Sequence, residues 1–142
     1  METDSTESTY AYAESFVQTI DPHKSRATVV ALSGDLGSGK TVFAQGVARA
    51  LGITETVTSP TFVIQKIYKI ENSAFKRLVH IDAYRLEDAH ELLVLGWERL
   101  LSHSDTLILI EWPERVEEIL PKGTIRITCT YVDENTRKIE RV

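Results

Sequence analysis

Cysteine is almost absent from this 142-residue chain, whose single thiol is Cys129. One thiol cannot form an internal disulfide, and no Cys/His group in the sequence has the spacing of a zinc site. Cys129 alternates with apolar residues in the pattern of a strand, so we predict a small buried thiol. A disulfide-rich or zinc-stabilised domain is therefore excluded.

Long hydrophobic runs are missing as well. No aliphatic run is longer than that of residues 107–110, which is far too short to span a membrane. The first residues are acidic and polar, without the basic start and apolar stretch of a secretory signal. We therefore expect a cytoplasmic protein with no membrane contact.

The chain has no excess of positive charge. Its 16 Lys and Arg residues against 21 Asp and Glu residues give a formal net charge of -5. Proteins that grip a phosphate backbone usually carry a basic face, so we expect no direct DNA binding and no broad RNA-binding surface. The composition is that of an ordinary globule without repeats or linkers, which predicts a single domain over residues 1–142.

Apolar periodicity predicts strands that alternate with helices. Helices are predicted at residues 8–20, 40–51, 88–101 and 113–120, and strands at 27–33, 61–70, 76–82, 106–111, 125–131 and 137–142. Turn signals predict two hairpins, 61–82 and 125–142. This order indicates an α/β fold with a mixed, mostly parallel sheet flanked by helices.

Local signals refine the predicted helices. Ser8 or Thr9 is expected to cap the first one. Gly46 lies inside the second, where glycine costs about 1 kcal/mol relative to alanine. It indicates either close packing or a tolerated glycine. The third helix is expected to bury four leucines, namely Leu92, Leu95, Leu100 and Leu101.

A glycine-rich loop carries the strongest functional signal. It matches the pattern G-x-x-x-x-G-K-S/T at every fixed position. Glycines let successive N–H groups point inward around an anion, and the next helix adds its dipole. The lysine supplies a positive charge, and the threonine hydroxyl can bind Mg²⁺. We therefore predict a nucleoside triphosphate site with magnesium at Gly34, Asp35, Leu36, Gly37, Ser38, Gly39, Lys40 and Thr41.

Two carboxylates follow apolar strand patterns. Asp82 ends one strand and Glu111 ends another. In a parallel sheet both would emerge at the edge that carries the glycine loop, where a P-loop site needs an acid for magnesium. Which of the two acids touches the metal is left open.

Other polar and aromatic residues flank these strands. Trp112 and His80 alone would more often pack in a core than act. Arg85, after Tyr84, could reach a phosphate or a partner, with a surface ion pair as the alternative. We predict either a simple turn or a segment whose hydroxyls face the γ-phosphate or magnesium at Thr58, Ser59, Pro60 and Thr61.

Together these motifs resemble the TsaE (YjeE) family, the bacterial ATPase component of tRNA threonylcarbamoyladenosine synthesis. They occur in the family's order and spacing, over roughly residues 27–121. The motifs are GDLGSGKT (34–41), TSPTF (58–62), HIDAYRL (80–86), ELLVLGWE (91–98) and IEWPE (110–114).

The resemblance implies a P-loop fold and weak ATP hydrolysis that matters only with partners. Those partners are the TsaD–TsaB pair, which transfers threonylcarbamoyl to adenosine 37 of tRNAs that read ANN codons. TsaC supplies the threonylcarbamoyl-adenylate, and the tRNA is contacted only indirectly.

The resemblance also implies roles for single residues. Residues 34–41 would bind ATP, with Lys40 acting on its phosphates. Thr41 and Glu111 would hold Mg²⁺, and Asp82 would assist or orient water. Residues 58–61 would form a switch-like segment.

The remaining implied contacts lie around the nucleotide. Trp112 would form part of the site wall. Thr9 and Arg137 are candidates for adenine contacts, since the family draws these from the two chain ends. Phosphate or partner contacts are implied for His80, Tyr84 and Arg85.

Two other functions are weighed against this one. A small-molecule P-loop kinase would bring an arginine-rich lid and an acceptor pocket, but the arginines after the loop are scattered. A GTPase-like switch would carry an N/T-K-x-D motif, which is not present in the sequence. A nucleotide-dependent switch that does not hydrolyse ATP is a further alternative.

Overall fold

A computed structural model describes residues 1–57, 64–71 and 73–142. Within these ranges strands and helices alternate as the sequence predicts. The strands are β1 Glu2–Thr3, β2 Thr28–Ser33, β3 Gln65–Lys69, β4 Arg77–Asp82, β5 Thr106–Glu111, β6 Ile125–Tyr131 and β7 Arg137–Arg141. The helices are α1 Thr6–Gln18, α2 Lys40–Ala50, α3 Ala89–Val94 and α4 Trp97–Leu101.

The strands of the described residues form one seven-stranded sheet in the order β1-β7-β6-β2-β5-β4-β3. The four central strands, β6, β2, β5 and β4, are parallel to one another. The edge pairs are antiparallel, and they include both predicted hairpins, β3–β4 and β6–β7. The predicted mixed α/β sheet is confirmed.

The two central strands β2 and β5 are buried on both faces, because helices and loops cover the sheet from each side. On one face, Phe16 of α1 and Phe43 of α2 pack over the sheet. On the other, Leu92 and Trp97 pack against it. Continuous apolar sequence is typical of such doubly covered parallel strands.

Helices α1 and α2 pack at close range around Gly46. A Cβ atom at this position would lie 2.8 Å from the Ala13 Cβ and 3.1 Å from the Tyr10 Cδ1. Real Cβ atoms do not approach a carbon that closely, so the glycine permits the contact. Of the two interpretations of Gly46, the structure supports close packing.

The start of the first helix and the length of the third differ from the prediction. The first helix is capped by Ser5, not by Ser8 or Thr9, because the Ser5 side chain accepts the Ser8 amide and the Ser8 hydroxyl accepts the Ser5 amide. The predicted helix 88–101 is broken at Gly96, whose φ of 95° ends α3 and begins α4.

This break changes which side chains the region buries. Leu92 is buried as expected, but Leu95 is 42% exposed and Trp97 takes an interior position. Leu100 and Leu101 pack only partly against the core. The predicted helix 113–120 is instead two short 3-10 turns, Pro113–Arg115 and Glu117–Ile119.

Strand β1 has no counterpart in the sequence prediction, because two residues carry no periodicity. It joins the sheet through β7, which places the start of the chain beside the glycine loop's end of the sheet. None of the helices in the described ranges is long and apolar enough to cross a membrane.

Candidate functional site

The glycine loop connects the end of β2 to the start of α2 in a conformation that needs its glycines. Gly37 and Gly39 have φ angles of 79° and 99°, in the left-handed region that side chains disfavour. At Gly34, a Cβ atom would lie 2.3 Å from the Cys129 carbonyl oxygen. The loop therefore turns tightly against β6.

The loop has unused polar groups that fit a phosphate. Gly39 is the N-cap residue of α2 and provides no side-chain hydrogen bond, so the first N–H groups of the helix have no side-chain cap. The Ser38 side chain is buried, and its Oγ has no hydrogen-bond partner among the described residues. Inward amides at a helix N-terminus are a common anion site.

Lys40 is held inside the loop. Its Nζ donates hydrogen bonds to the carbonyls of Gly34 and Asp35, the second at 3.0 Å. The same Nζ lies 4.5 Å from the centre of the Trp112 ring, within cation–π range. These contacts fix the ammonium group beside the loop's amides.

The two predicted carboxylates meet at the same edge of the sheet. Asp82 and Glu111 are register partners at the ends of β4 and β5. An Asp82 oxygen accepts the Tyr84 amide at 2.9 Å. Glu111 is only 3% exposed, and its Oε2 lies 2.6 Å from the His80 Nε2. Each acid still lines the cleft next to the loop.

Trp112 adopts a left-handed backbone, with φ 58° and ψ 51°, the one such non-glycine residue in the described ranges. This conformation costs roughly 1–3 kcal/mol for a bulky side chain and persists only where contacts enforce it. Here the indole lies against Lys40 and, at a ring distance of 4.9 Å, against Tyr84. The strain presents the ring as a wall of the cleft.

These groups surround a cleft of about 690 Å³. That volume is suitable for a ligand the size of a nucleotide. The cleft is lined by the glycine loop, by residues at or after the ends of β4 and β5, and by residues near both chain ends. Its lining includes Thr3, Asp4, Ser5, Thr6, Thr9, Leu36, Gly37, Ser38, Gly39, Lys40, Thr41, Val42, Asp82, Tyr84, Arg85, Glu111, Trp112, Glu134, Asn135 and Arg137.

The donor set also fits Mg²⁺ bound together with phosphate. One hydroxyl, Thr41, and two carboxylates, Asp82 and Glu111, line the cleft. Magnesium is usually held by one or two carboxylates plus substrate phosphates and water. Within the described part of the chain, no three His, Cys, Asp or Glu side chains gather into a metal site of their own.

The two chain ends close the far side of the cleft. The buried Thr9 hydroxyl donates to the Thr3 hydroxyl at 2.9 Å. Arg137 donates from Nε to the Gly37 carbonyl at 2.9 Å, so it braces the glycine loop. Both predicted residues reach the cleft, and Thr3 was missed because β1 is too short to be recognised.

The turn between β6 and β7 contributes two further lining residues, Glu134 and Asn135. It is ordered by Asp133, whose carboxylate accepts the Asn135 amide at 2.9 Å. Hydrogen bonds from that amide and from the Thr136 side chain lower the pKa of Asp133. The sequence marked this segment as a turn and gave no sign that it faces the site.

His80 does not occupy the position expected of a phosphate or partner contact. Its side chain is fully buried beneath the cleft and hydrogen-bonded to Glu111, so it presents no surface. Tyr84 and Arg85 do lie on the exposed rim. The predicted switch-like residues Thr58, Ser59, Pro60 and Thr61 lie outside the described residues.

Cys129 lies under the glycine loop as a buried thiol, as predicted. Burial raises its pKa to about 12, with nearby Lys40 lowering it and Glu111 raising it. The thiolate is therefore disfavoured, and the residue contributes packing to the floor of the loop.

Comparison with known proteins gives consistent matches over most of the chain. A family model for the threonylcarbamoyl adenosine biosynthesis protein TsaE matches residues 3–139. The tRNA threonylcarbamoyladenosine biosynthesis protein TsaE of Haemophilus influenzae is 38% identical over 120 residues, covering 84% of this chain and 73% of that protein. Its namesake from Bacillus subtilis is 41% identical over 111 residues, covering 78% and 66%.

Among solved structures, the crystal structure of Bacillus subtilis YdiB is similar, with a TM-score of 0.78 at 30% identity. The match covers 99% of this chain and 82% of that one. Together with the observed sheet and loop, it confirms the predicted P-loop α/β fold.

Proposed function

The chain belongs to the TsaE family, and on that premise we propose that it binds and hydrolyses Mg-ATP as a subunit of the tRNA threonylcarbamoyladenosine machinery. Its substrate would be ATP, and its hydrolysis would be weak without partners. The proposal rests above all on one observation. Lys40 of the glycine loop and the carboxylate of Glu111 face the same cleft.

In this proposal, the phosphates lie on the amides of residues 34–41. Lys40, whose Nζ donates to the Gly34 and Asp35 carbonyls, would exchange these bonds for bonds to phosphate oxygens. The Trp112 ring, 4.5 Å away, would limit the movement of Nζ and exclude water from the ammonium group. Positioning and charge are the main contributions a protein makes to phosphoryl transfer.

Thr41, Glu111 and Asp82 would hold Mg²⁺ or its bound waters. The ion would neutralise charge on the β- and γ-phosphates. Glu111, at the end of β5, would hold the ion, and Asp82 would assist or orient the attacking water. The base and ribose would occupy the far side of the cleft, beside Thr9 and Arg137.

The family relationship supports partners as well as chemistry. We propose that the chain acts in the cytoplasm as one domain with the TsaD–TsaB pair, that TsaC supplies the activated intermediate, and that the tRNA is held by other subunits. Residues 58–61 would act as the switch-like segment. The net charge of -5 favours a role away from the tRNA backbone.

A reconstituted reaction tests this role. TsaD–TsaB, TsaC, tRNA, threonine, bicarbonate and ATP are combined with and without this chain, and modified tRNA is counted per TsaD–TsaB. We expect repeated turnover only when the chain is present, and none with Lys40→Ala. Full multi-turnover product without the chain would contradict the proposal.

A further inference from the structure

The buried contact between His80 and Glu111 is not explained by the glycine loop. His80 lies inside β4, is 0% exposed and does not line the cleft. It precedes Asp82 by two residues, so both side chains lie on the same face of the sheet. Because Glu111 is the register partner of Asp82, it joins them on that face.

The contact has the length of a hydrogen bond between two buried side chains. The His80 Nε2 and the Glu111 Oε2 are 2.6 Å apart, and both side chains are buried. The His80 tautomer with hydrogen on Nε2 donates to the carboxylate of Glu111, which when ionised can only accept. Such a bond restricts the rotation of a glutamate side chain that otherwise has three free torsions.

The second ring nitrogen of His80 indicates that packing alone does not explain a histidine at this position. The His80 Nδ1 is buried without a hydrogen-bond partner among the described residues. An unsatisfied buried polar atom lowers stability. On the same face of the sheet, Leu78 of β4 and Leu107 and Leu109 of β5 are fully buried apolar residues. An apolar residue would avoid that penalty, so the value of His80 lies in its Nε2.

We infer that His80 is a positioning residue for Glu111. Its Nε2–H holds the carboxylate at the end of β5 in the orientation that faces the cleft. His80 touches neither nucleotide nor metal and acts only through Glu111. This inference rests on the proposed function, because it assigns the support of a carboxylate that would hold Mg²⁺ at the site of hydrolysis.

Two substitutions separate positioning from packing. His80→Gln keeps an N–H donor at about the reach of Nε2, whereas His80→Leu removes it at similar size. We expect His80→Leu to lower kcat for ATP roughly 10- to 100-fold, as loss of an outer-shell partner does. The ATP dissociation constant and the melting temperature should stay close to wild type. His80→Gln should recover much of the rate.

The same substitution in a Glu111→Gln background tests whether His80 acts through Glu111. If it does, His80→Leu causes no further loss there, since residues that act as a unit are not additive. An independent readout uses the protein without nucleotide. The His80 Nε2–H proton should give a slowly exchanging NMR signal that disappears in Glu111→Ala.

Three outcomes would overturn the inference: wild-type kcat in His80→Leu, an equal further loss in the Glu111→Gln background, or no protected Nε2–H signal in the wild type. Hydrolysis by the wild-type chain is measured first. Its absence would contradict the proposed function, and the NMR signal would then decide the His80–Glu111 contact separately.

Discussion

Because α1 packs closely on α2, we predict that Gly46→Ala lowers the stability of the protein, although helix propensity alone would raise it. In Gly46→Ala, the new Cβ would meet Ala13 at 2.8 Å and Tyr10 at 3.1 Å. Alanine gains about 1 kcal/mol over glycine in a helix interior. Forcing a methyl group into a packed core costs roughly 1–3 kcal/mol. Here the clash involves backbone-anchored atoms of Ala13 and the Tyr10 Cα at 3.2 Å, which cannot rotate away.

We therefore expect the upper part of that range and a net destabilisation of roughly 1–2 kcal/mol. For a chain of this length, that corresponds to a melting temperature lower by roughly 3–10 °C. Thermal unfolding followed by circular dichroism measures it. The matched control is Ala50→Gly at the exposed end of the same helix, which reports propensity without packing.

Ala50→Gly should lower the melting temperature only slightly. A Gly46→Ala protein that melts at or above the wild-type temperature would refute the reasoning, because propensity would then outweigh the contact between the helices. Such a result would mean that α1 can move away from α2 at little cost.

The site gives two further predictions. Lys40→Ala should weaken ATP binding roughly 10- to 150-fold in calorimetry, the range for losing charge-assisted hydrogen bonds, whereas Lys122→Ala, outside the cleft, should bind like the wild type. Burial raises the Cys129 pKa from 9.0 to about 12, so the stability that this thiol contributes is complete below pH 9 and is lost as pH rises toward 12. Wild type should therefore lose more stability than Cys129→Ala over that pH interval. At pH 8 a thiol reagent should label the native protein far more slowly than the urea-unfolded protein. Equal labelling rates would contradict the burial of Cys129.

Much of the fold could be predicted from the sequence, because the central strands are buried on both faces. In a chain without membrane-length segments, a short continuous apolar run such as the one ending in Glu111 indicates a strand covered from both sides. The glycine loop was also predictable, because its backbone needs glycine at fixed positions. Both signals are local, so no knowledge of distant contacts was required.

The errors arise where a local signal is ambiguous. Gly96 lies within a leucine-rich segment whose periodicity favours one long helix, yet its left-handed conformation ends α3 and begins α4. Ser5, Ser8 and Thr9 are all acceptable N-cap residues, and the reciprocal hydrogen bonds between Ser5 and Ser8 fix the helix start at Ser5.

The site was predicted less completely, because part of it depends on contacts between distant residues. His80 and Glu111 are 31 positions apart, so their hydrogen bond follows from the register of β4 and β5. The two-residue spacing of His80 and Asp82 was a usable signal, since it places both on one face. Arg137 reaches Gly37 across 100 positions, which no local pattern indicates.

Titration calorimetry of the wild-type chain with ATP, in the presence and absence of magnesium, tests the nucleotide site most directly. We predict saturable binding of one ATP per chain. The affinity should rise when magnesium is added, because Thr41 and the two carboxylates can then hold the ion that is bound to the phosphates. A folded chain that gives no binding heat with ATP or any other nucleoside triphosphate would contradict the account at its foundation.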